Sequence, residues 1–426
     1  MEMVQNIVLT VLVFFVIVSI HEWGHFYFAK RAGILVREFA IGFGPKLFSV
    51  KKGETRYTLR LIPAGGFVRM AGEDPEIVEV QPGQTIAVRV HDDKVTRIYL
   101  DRLDERSNVI RSEVESIDLE HALTVVLQVD GEPERLSIHP QALMVSKGRE
   151  TQIAPHNRQF GSKTVAQRAL AIFAGPLMNF VLAFVLFAVY IQLTGIATGN
   201  PDKVFIGEIL EGRPAAQANL QVGDEIKTIN GVQIGGDYEK MIAMIGESAD
   251  KEMTWTVLRD GKTVELTITP ALDPEAKAGK VGISPKFDVP TRTPGVGETI
   301  TYAAKAMKNM TVLIFDSFKM LITGQFKLDD LGGPVRTAEI TSQIASRGIE
   351  QLTSWTALLS LYLGIFNLLP IPALDGSRLI FLGLEAVRGR PIDPNRESMV
   401  HFIGFAMLML LMLAVTYNDV MRLVKG

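Results

Sequence analysis

Apolar residues gather along the chain in blocks longer than any core helix needs. Four stretches, about Val4 to Ala29, Val165 to Leu193, Thr353 to Leu374 and Met399 to Tyr417, approach the roughly 20 apolar residues that carry a helix across a bilayer. Polar segments with strand-like alternation lie between them. The pattern predicts a polytopic α-helical membrane protein with about four transmembrane helices, a membrane-associated β-hairpin and two soluble segments. The expected segments are a first helix over 1–33, a hairpin over 34–70, a β-rich insert over 71–163, a second helix over 164–196, a soluble domain over 200–290, amphipathic helices over 295–348, a third membrane segment over 351–376 and a fourth helix over 399–422.

In the hairpin, the alternating run Arg56 to Ile62 ends at Pro63 and Gly65-Gly66, which read as a turn. Irregular backbone at membrane depth survives only against protein or a watery cavity, so this hairpin must lean on the spans. The insert carries hairpin signals at Asp92-Asp93 and Asp130-Gly131. Its four histidines, His91, His121, His139 and His156, match no ligand spacing and are expected to be ordinary surface or packing residues. From Gly212 to Val232 the order turn, short helix, turn, strand and hairpin resembles a bacterial PDZ domain, a fold that accepts an extended peptide as an added strand. In 295–348, the run Ala303 to Phe315 sets lysines against an apolar face, as suits a helix lying in the interface, and Gly332-Gly333-Pro334 interrupts the pattern.

Composition narrows the class further. Of 426 residues 47% are apolar, and the mean hydropathy of +0.20 fits a membrane protein carrying soluble parts. A formal net charge of -3 provides no field for nucleic acid, which is not expected as a partner; the lipid bilayer is. The absence of cysteine excludes disulfides, thiol nucleophiles and thiolate metal sites. The first apolar run has no basic residue before it and no small-residue cleavage site, so it reads as a retained span. Basic residues concentrate after the first stretch and between the third and fourth, which puts those connections in the cytoplasm, and the chain ends and the soluble domain of 200–290 outside the cell membrane. Arg422 and Lys425 count against this orientation.

The chemistry sits inside the first span. His21 and His25, four residues apart on a helix, share a face and can reach one metal ion. Glu22 stands beside them as the carboxylate that takes a proton from the attacking water and returns it to the leaving amine. Ionisable residues at membrane depth are costly, by about 2.5–3.5 kcal/mol each on insertion scales, and mark function. Catalytic zinc usually takes three protein ligands, so a third is required from another span. His401, Asp316 and Asp375 are the candidates, and Asp375 is the best placed. It closes the segment Asn367 to Gly376, where Pro370 and Pro372 must break the helix and free backbone groups for an extended substrate. A scaffold without catalytic activity would have no use for Glu22, and a transporter would show paired repeats that are absent here.

His21-Glu-Trp-Gly-His25, Gly42-Phe-Gly44, Gly175-Pro-Leu-Met-Asn179, the PDZ-like segment and Asn367 to Gly376 follow one another in the order found in site-2 proteases. The chain resembles that family over nearly its whole length, and most of all its single-PDZ members from Gram-positive bacteria. The resemblance implies one zinc ion per chain held by His21, His25 and Asp375, with Glu22 as catalytic carboxylate. It implies that Asn179 and Asn367 line the cleft, and that Gly42 and Gly44 belong to a hairpin presenting a strand edge to substrate. It also implies single-span membrane proteins as substrates, such as anti-sigma factors already trimmed outside or remnant signal peptides.

Overall fold

The computed structural model of the chain describes residues 2–73, 80–129, 131–199, 201–210, 212–274, 277–324 and 332–425. They form two compact units, one of Met1–Tyr190 with Tyr302–Gly426 and one of Ile191–Thr301.

The first unit starts with α1 (Glu2–Arg31), which closes on Lys30 and Arg31. At about 1.5 Å per residue it is about 45 Å long, enough to span a bilayer. The antiparallel strands β1 (Val36–Lys52) and β2 (Thr55–Met70) follow, joined at Gly53-Glu54. Their register folds the hairpin back on itself. Glu38 to Ile41 pair with Arg56 to Leu59 and also with Arg69 to Gly66, while Phe48 to Lys52 pair only with Leu59 to Thr55. Residues 66–70 thereby become an edge. Strand pairing continues through Pro63, Gly65 and Gly66, and the chain reverses there as expected: Arg56 to Leu59 run parallel to Glu38 to Ile41, whereas Gly66 to Arg69 run antiparallel to them.

The insert builds a closed barrel from β3 (Thr85–His91), β4 (Lys94–Tyr99), β5 (Ile110–Asp118), β6 (Thr124–Val129) and β7 (Glu132–Ser146), with β8 (Arg149–Gln152) added to β7. Pairing of β4 with β7 in parallel closes the sheet, so these strands leave little exposed edge. Ile86, Val88, Ile98, Val125 and Leu127 fill it. Asp92 and Asp93 both adopt positive φ at the β3–β4 turn, as a tight hairpin requires. Asp130 of the second hairpin signal lies outside the described residues; the strands on either side pair through Val129 and Glu132.

The hairpin is fastened to the barrel domain at its tip. Glu54 receives hydrogen bonds from Arg158 at both carboxylate oxygens, from Gln152 at 2.9 Å and from Gln141 at 3.3 Å. Elsewhere it exposes Leu47, Phe48 and Leu61, an apolar surface suited to lipid or to an apolar substrate.

After the barrel, α2 (Val165–Thr194) contains Pro176 and leads out of the first unit. In the second unit, helices α3 (Pro214–Gln217) and α4 (Tyr238–Glu247) pack on a sheet with the strand order Lys262–Ile268, Met253–Arg259, Glu225–Ile229, Lys203–Ile209, Ile283–Asp288. Trp255, Ile206, Ile226 and Met241 form its core. The chain returns through the amphipathic α5 (Val296–Ile322) to α6 (Pro334–Ser346), α7 (Ile349–Asn367), α8 (Asp375–Arg388) and α9 (Pro394–Lys425).

Three helical stretches among the described residues are long and apolar enough to cross a membrane: Met3–Arg31, Val165–Thr194 and Arg396–Arg422. The third expected span differs. Helix α7 has only 19 residues, carries Glu350 and Gln351 in its first turn, and stops at Asn367 before the proline segment. Buried Thr356 and Ser360 lower its apolarity further, and Ser360 donates to the Asn179 backbone carbonyl at 3.0 Å. A helix lined by protein needs less apolar surface than one facing lipid. Between the proline segment and α9, α8 is a distinct amphipathic helix that the sequence pattern did not separate from its charged neighbours.

Candidate metal centre

His21 and His25 lie one turn apart on α1 and point their rings together, with centroids 4.8 Å apart and planes at 82°. Asp375, the first residue of α8, closes the group. The two Nε2 atoms are 3.2 Å apart, and Asp375 Oδ2 lies 3.3 Å from that of His21 and 3.4 Å from that of His25. A tetrahedral zinc with bonds of about 2.0–2.1 Å separates its ligand atoms by about 3.3–3.4 Å. The observed triangle has these edges, so the donor set fits a zinc ion. The two histidines are buried and Asp375 is half-buried. Among the described residues this is the one group of three or more such side chains able to hold a metal.

The surroundings orient the donors. His25 Nδ1 donates to the Ala171 carbonyl at 3.0 Å, which leaves Nε2 unprotonated toward the cluster. Helices α1 and α2 approach closely there, at Gly24 and Gly175. A Cβ on Gly24 would come within 2.2 Å of the Ala174 carbonyl oxygen, and one on Gly175 within 2.1 Å of His25 Nε2. Asp375 is held through the rest of α8. Arg378 pairs with Glu73, and Arg168 of α2 grips Glu385 at 2.5 and 2.9 Å. Glu22 is buried beside the first histidine and within electrostatic reach of His25, Asp375 and Glu73.

The other residues singled out in the sequence fall in different places. Asn179 is fully buried on α2, one turn beyond Gly175, and neither polar atom of its side chain has a hydrogen-bond partner. Asn367 ends α7 and donates to Leu363 at 3.0 Å, so its amide oxygen is the atom left to accept. Gly42 and Gly44, with φ of +90° and +82°, bend β1 beside Arg60 and Ile62. Among the hairpin glycines Gly66 reaches the centre, where its Cβ would fall 2.7 Å from Glu22 Cγ. Only the unusual Gly65-Gly66 pair inside an alternating run signals it in the sequence. Of the other ligand candidates, Asp316 is exposed on α5 and His401 accepts a hydrogen bond from the Ala373 backbone at 3.1 Å. In the barrel domain His121 and His156 stack on each other, with ring centroids 4.6 Å apart.

A two-histidine, one-aspartate cluster with a buried glutamate, enclosed by long apolar helices, defines a membrane metallopeptidase. Comparison with known proteins agrees. The chain belongs to peptidase family M50, the intramembrane zinc metalloproteases of the site-2 type, and the family model matches residues 9–411. It is 44% identical over 433 residues to the zinc metalloprotease RasP of Oceanobacillus iheyensis, covering 98% of this chain and 99% of that protein. The regulator of sigma-W protease RasP of Bacillus subtilis is 44% identical over 424 residues, with 99% of each chain covered. The probable protease eep of Enterococcus faecalis is 40% identical over 430 residues, covering 98% of this chain and 99% of that one. Among solved structures, the PDZ domain of an SdrC-like protein from Listeria monocytogenes is similar over 21% of this chain and 92% of its own, with 21% identity and a TM-score of 0.19.

Proposed function

We propose that the chain holds one zinc ion through His21, His25 and Asp375 and uses Glu22 to hydrolyse peptide bonds within or near the transmembrane segment of single-span membrane proteins. The observation that carries this reading is the triangle of Nε2, Nε2 and Oδ2 atoms with edges of 3.2–3.4 Å. Zinc, when bound, supplies polarisation of the scissile carbonyl and makes water a nucleophile near neutral pH. Glu22 accepts the proton that the attacking water loses and delivers it to the departing amine. Its burial beside Gly66 fixes where that proton is held.

A helical substrate hides its carbonyls in intrahelical bonds and must unwind before attack. The edge formed by residues 66–70 runs past Glu22 and offers backbone partners to the unwound segment by strand addition. The buried, unpartnered amide of Asn179 and the free oxygen of Asn367 supply further hydrogen bonds at the cleft. Leaving such groups unpaired is costly in the resting protein, which suits groups that a substrate satisfies.

Charge sets the orientation. Lys30 and Arg31 close α1, about 15 Å of helical rise beyond His21, so the centre lies toward the cytoplasmic side with the barrel. With α1, α2, α7 and α9 as four spans, the PDZ-like domain lies outside. The name of the Bacillus subtilis relative, regulator of sigma-W protease, supports an anti-sigma factor as one substrate, and the family resemblance adds its trimming outside and remnant signal peptides. In proteoliposomes the chain should cut a transmembrane peptide bearing a short outer stub, and Glu22→Gln should not. Equal cutting by both would remove Glu22 from the mechanism.

A further inference from the structure

The segment between α7 and α8 contains a backbone conformation that its residue does not favour. Ala373, two residues before Asp375, adopts φ +78°, in the left-handed region that disfavours a side chain with a Cβ. The conformation turns the chain from Pro372 into α8. Something outside the segment must hold it.

Helix α9 presents two features on one face. The Ala373 backbone N–H donates to His401 Nδ1 at 3.1 Å. One turn on, Gly404 lets Pro372 lie against the helix: a Cβ there would fall 2.2 Å from Pro372 Cβ and 2.7 Å from its carbonyl oxygen. A backbone N–H can only donate, so Nδ1 carries the lone pair and Nε2 the proton. The Phe381 ring meets the imidazole at 67° with centroids 5.6 Å apart, and Glu397 Oε1 lies 3.7 Å from Nε2. With Nδ1 turned to Ala373, His401 acts on the backbone that leads into Asp375.

We infer that His401 is a positioning residue of the metal centre: its Nδ1 pins Ala373 in the left-handed conformation and so aims Asp375 at His21 and His25. Helix α9 thereby takes part in building the centre although its residues hold no metal. The inference rests on Asp375 being a ligand, which Asp375→Asn tests in the same experiment. Partners of this kind, acting through a ligand, typically contribute 10–100-fold in metal affinity.

The experiment compares zinc affinity, by chelator competition on the full chain in detergent, across His401→Ala, His401→Asn and His401→Gln. An asparagine can place its oxygen where Nδ1 stands, whereas a glutamine reaches the position of Nε2. Affinity should fall roughly tenfold or more in His401→Ala and His401→Gln and stay near wild type in His401→Asn. Adding Ala373→Gly to His401→Ala should recover part of the loss, because glycine adopts positive φ freely. Cobalt substituted for zinc should keep the wild-type absorption spectrum in His401→Ala, since no ligand is removed. An equal loss in the Asn and Gln variants, a wild-type affinity in His401→Ala, or a cobalt spectrum that reports a lost nitrogen ligand would each overturn the inference. Should His401→Ala fail to fold, the Asn and Gln pair still decides it. Retention of zinc by Asp375→Asn would instead remove the ligand on which the inference rests, and the inference with it.

Discussion

Gly66 lies so close to Glu22 that a Cβ added to it would stand 2.7 Å from Glu22 Cγ, inside any normal contact. The edge strand and the first helix are thus in register at Glu22, an acidic side chain outside the metal triangle. Glu22 cannot move aside without leaving its neighbours, and the strand cannot withdraw without losing its pairing with Ile41.

Substituting Gly66→Ala therefore displaces Glu22 and should lower the rate of cleavage by about 10–100-fold, the scale expected when a catalytic group moves by about 1 Å. Zinc content should be unchanged, because the atoms nearest the new methyl group belong to Ala40 and Glu22. Rates of cleavage and metal content measured on one preparation check this; a fully active Gly66→Ala would mean that the approach has no catalytic consequence.

The hairpin tip makes a prediction in pH. The Arg158 guanidinium, helped by the Gln152 amide and opposed by burial, pulls the Glu54 carboxyl down from its ordinary value of 4.5 to about 2. A group with a lowered folded pKa gives stability that is present above its unfolded value and is lost as pH falls through the folded one. Docking of the tip should hold above about pH 4.5 and weaken between there and pH 2. Glu54→Gln should remove that pH dependence and cost about 1.5–3 kcal/mol, the range for a hydrogen bond to a charged group. Hydrogen exchange of β1 and β2 at pH 6 and pH 3 reads the difference. Identical protection at both pH values would show that Glu54 does not hold the tip.

The proposed topology is open to labelling without background, because the chain has no cysteine. A cysteine at Ser107, exposed in the barrel domain, should react from the cytoplasm, and one at Ser248, in the second unit, from outside. Reaction of both from one side would contradict the four-span arrangement.

These sites differ in how visible they are in the sequence. His21, Glu22 and His25 are legible because helical periodicity brings them together within one turn. Asp375 is legible for another local reason, since Pro370 and Pro372 forbid helix and leave the next acidic residue at a break. Gly66 and Gly175 are not, because what makes each necessary is a side chain from a distant element, Glu22 or His25. The same limit hides the folding of β1 and β2 into inner and edge strands, which depends on register, and the closure of the barrel by β4 and β7. Helix α8 is hard to see in the sequence because its charged residues Arg378 and Glu385 meet their partners, Glu73 and Arg168, only in the fold.

The central claim is that three residues hold the metal while Glu22 does the proton transfer. The most direct measurement is the zinc content per chain of the purified wild type, Glu22→Gln and Asp375→Ala, taken alongside cleavage of the same transmembrane peptide. About one zinc per chain is expected in the wild type and in Glu22→Gln, with cleavage by the latter reduced by roughly 10²–10⁴-fold. Asp375→Ala should lose both zinc and cleavage. Full zinc in Asp375→Ala, or zinc lost from Glu22→Gln, would contradict the assignment of these residues.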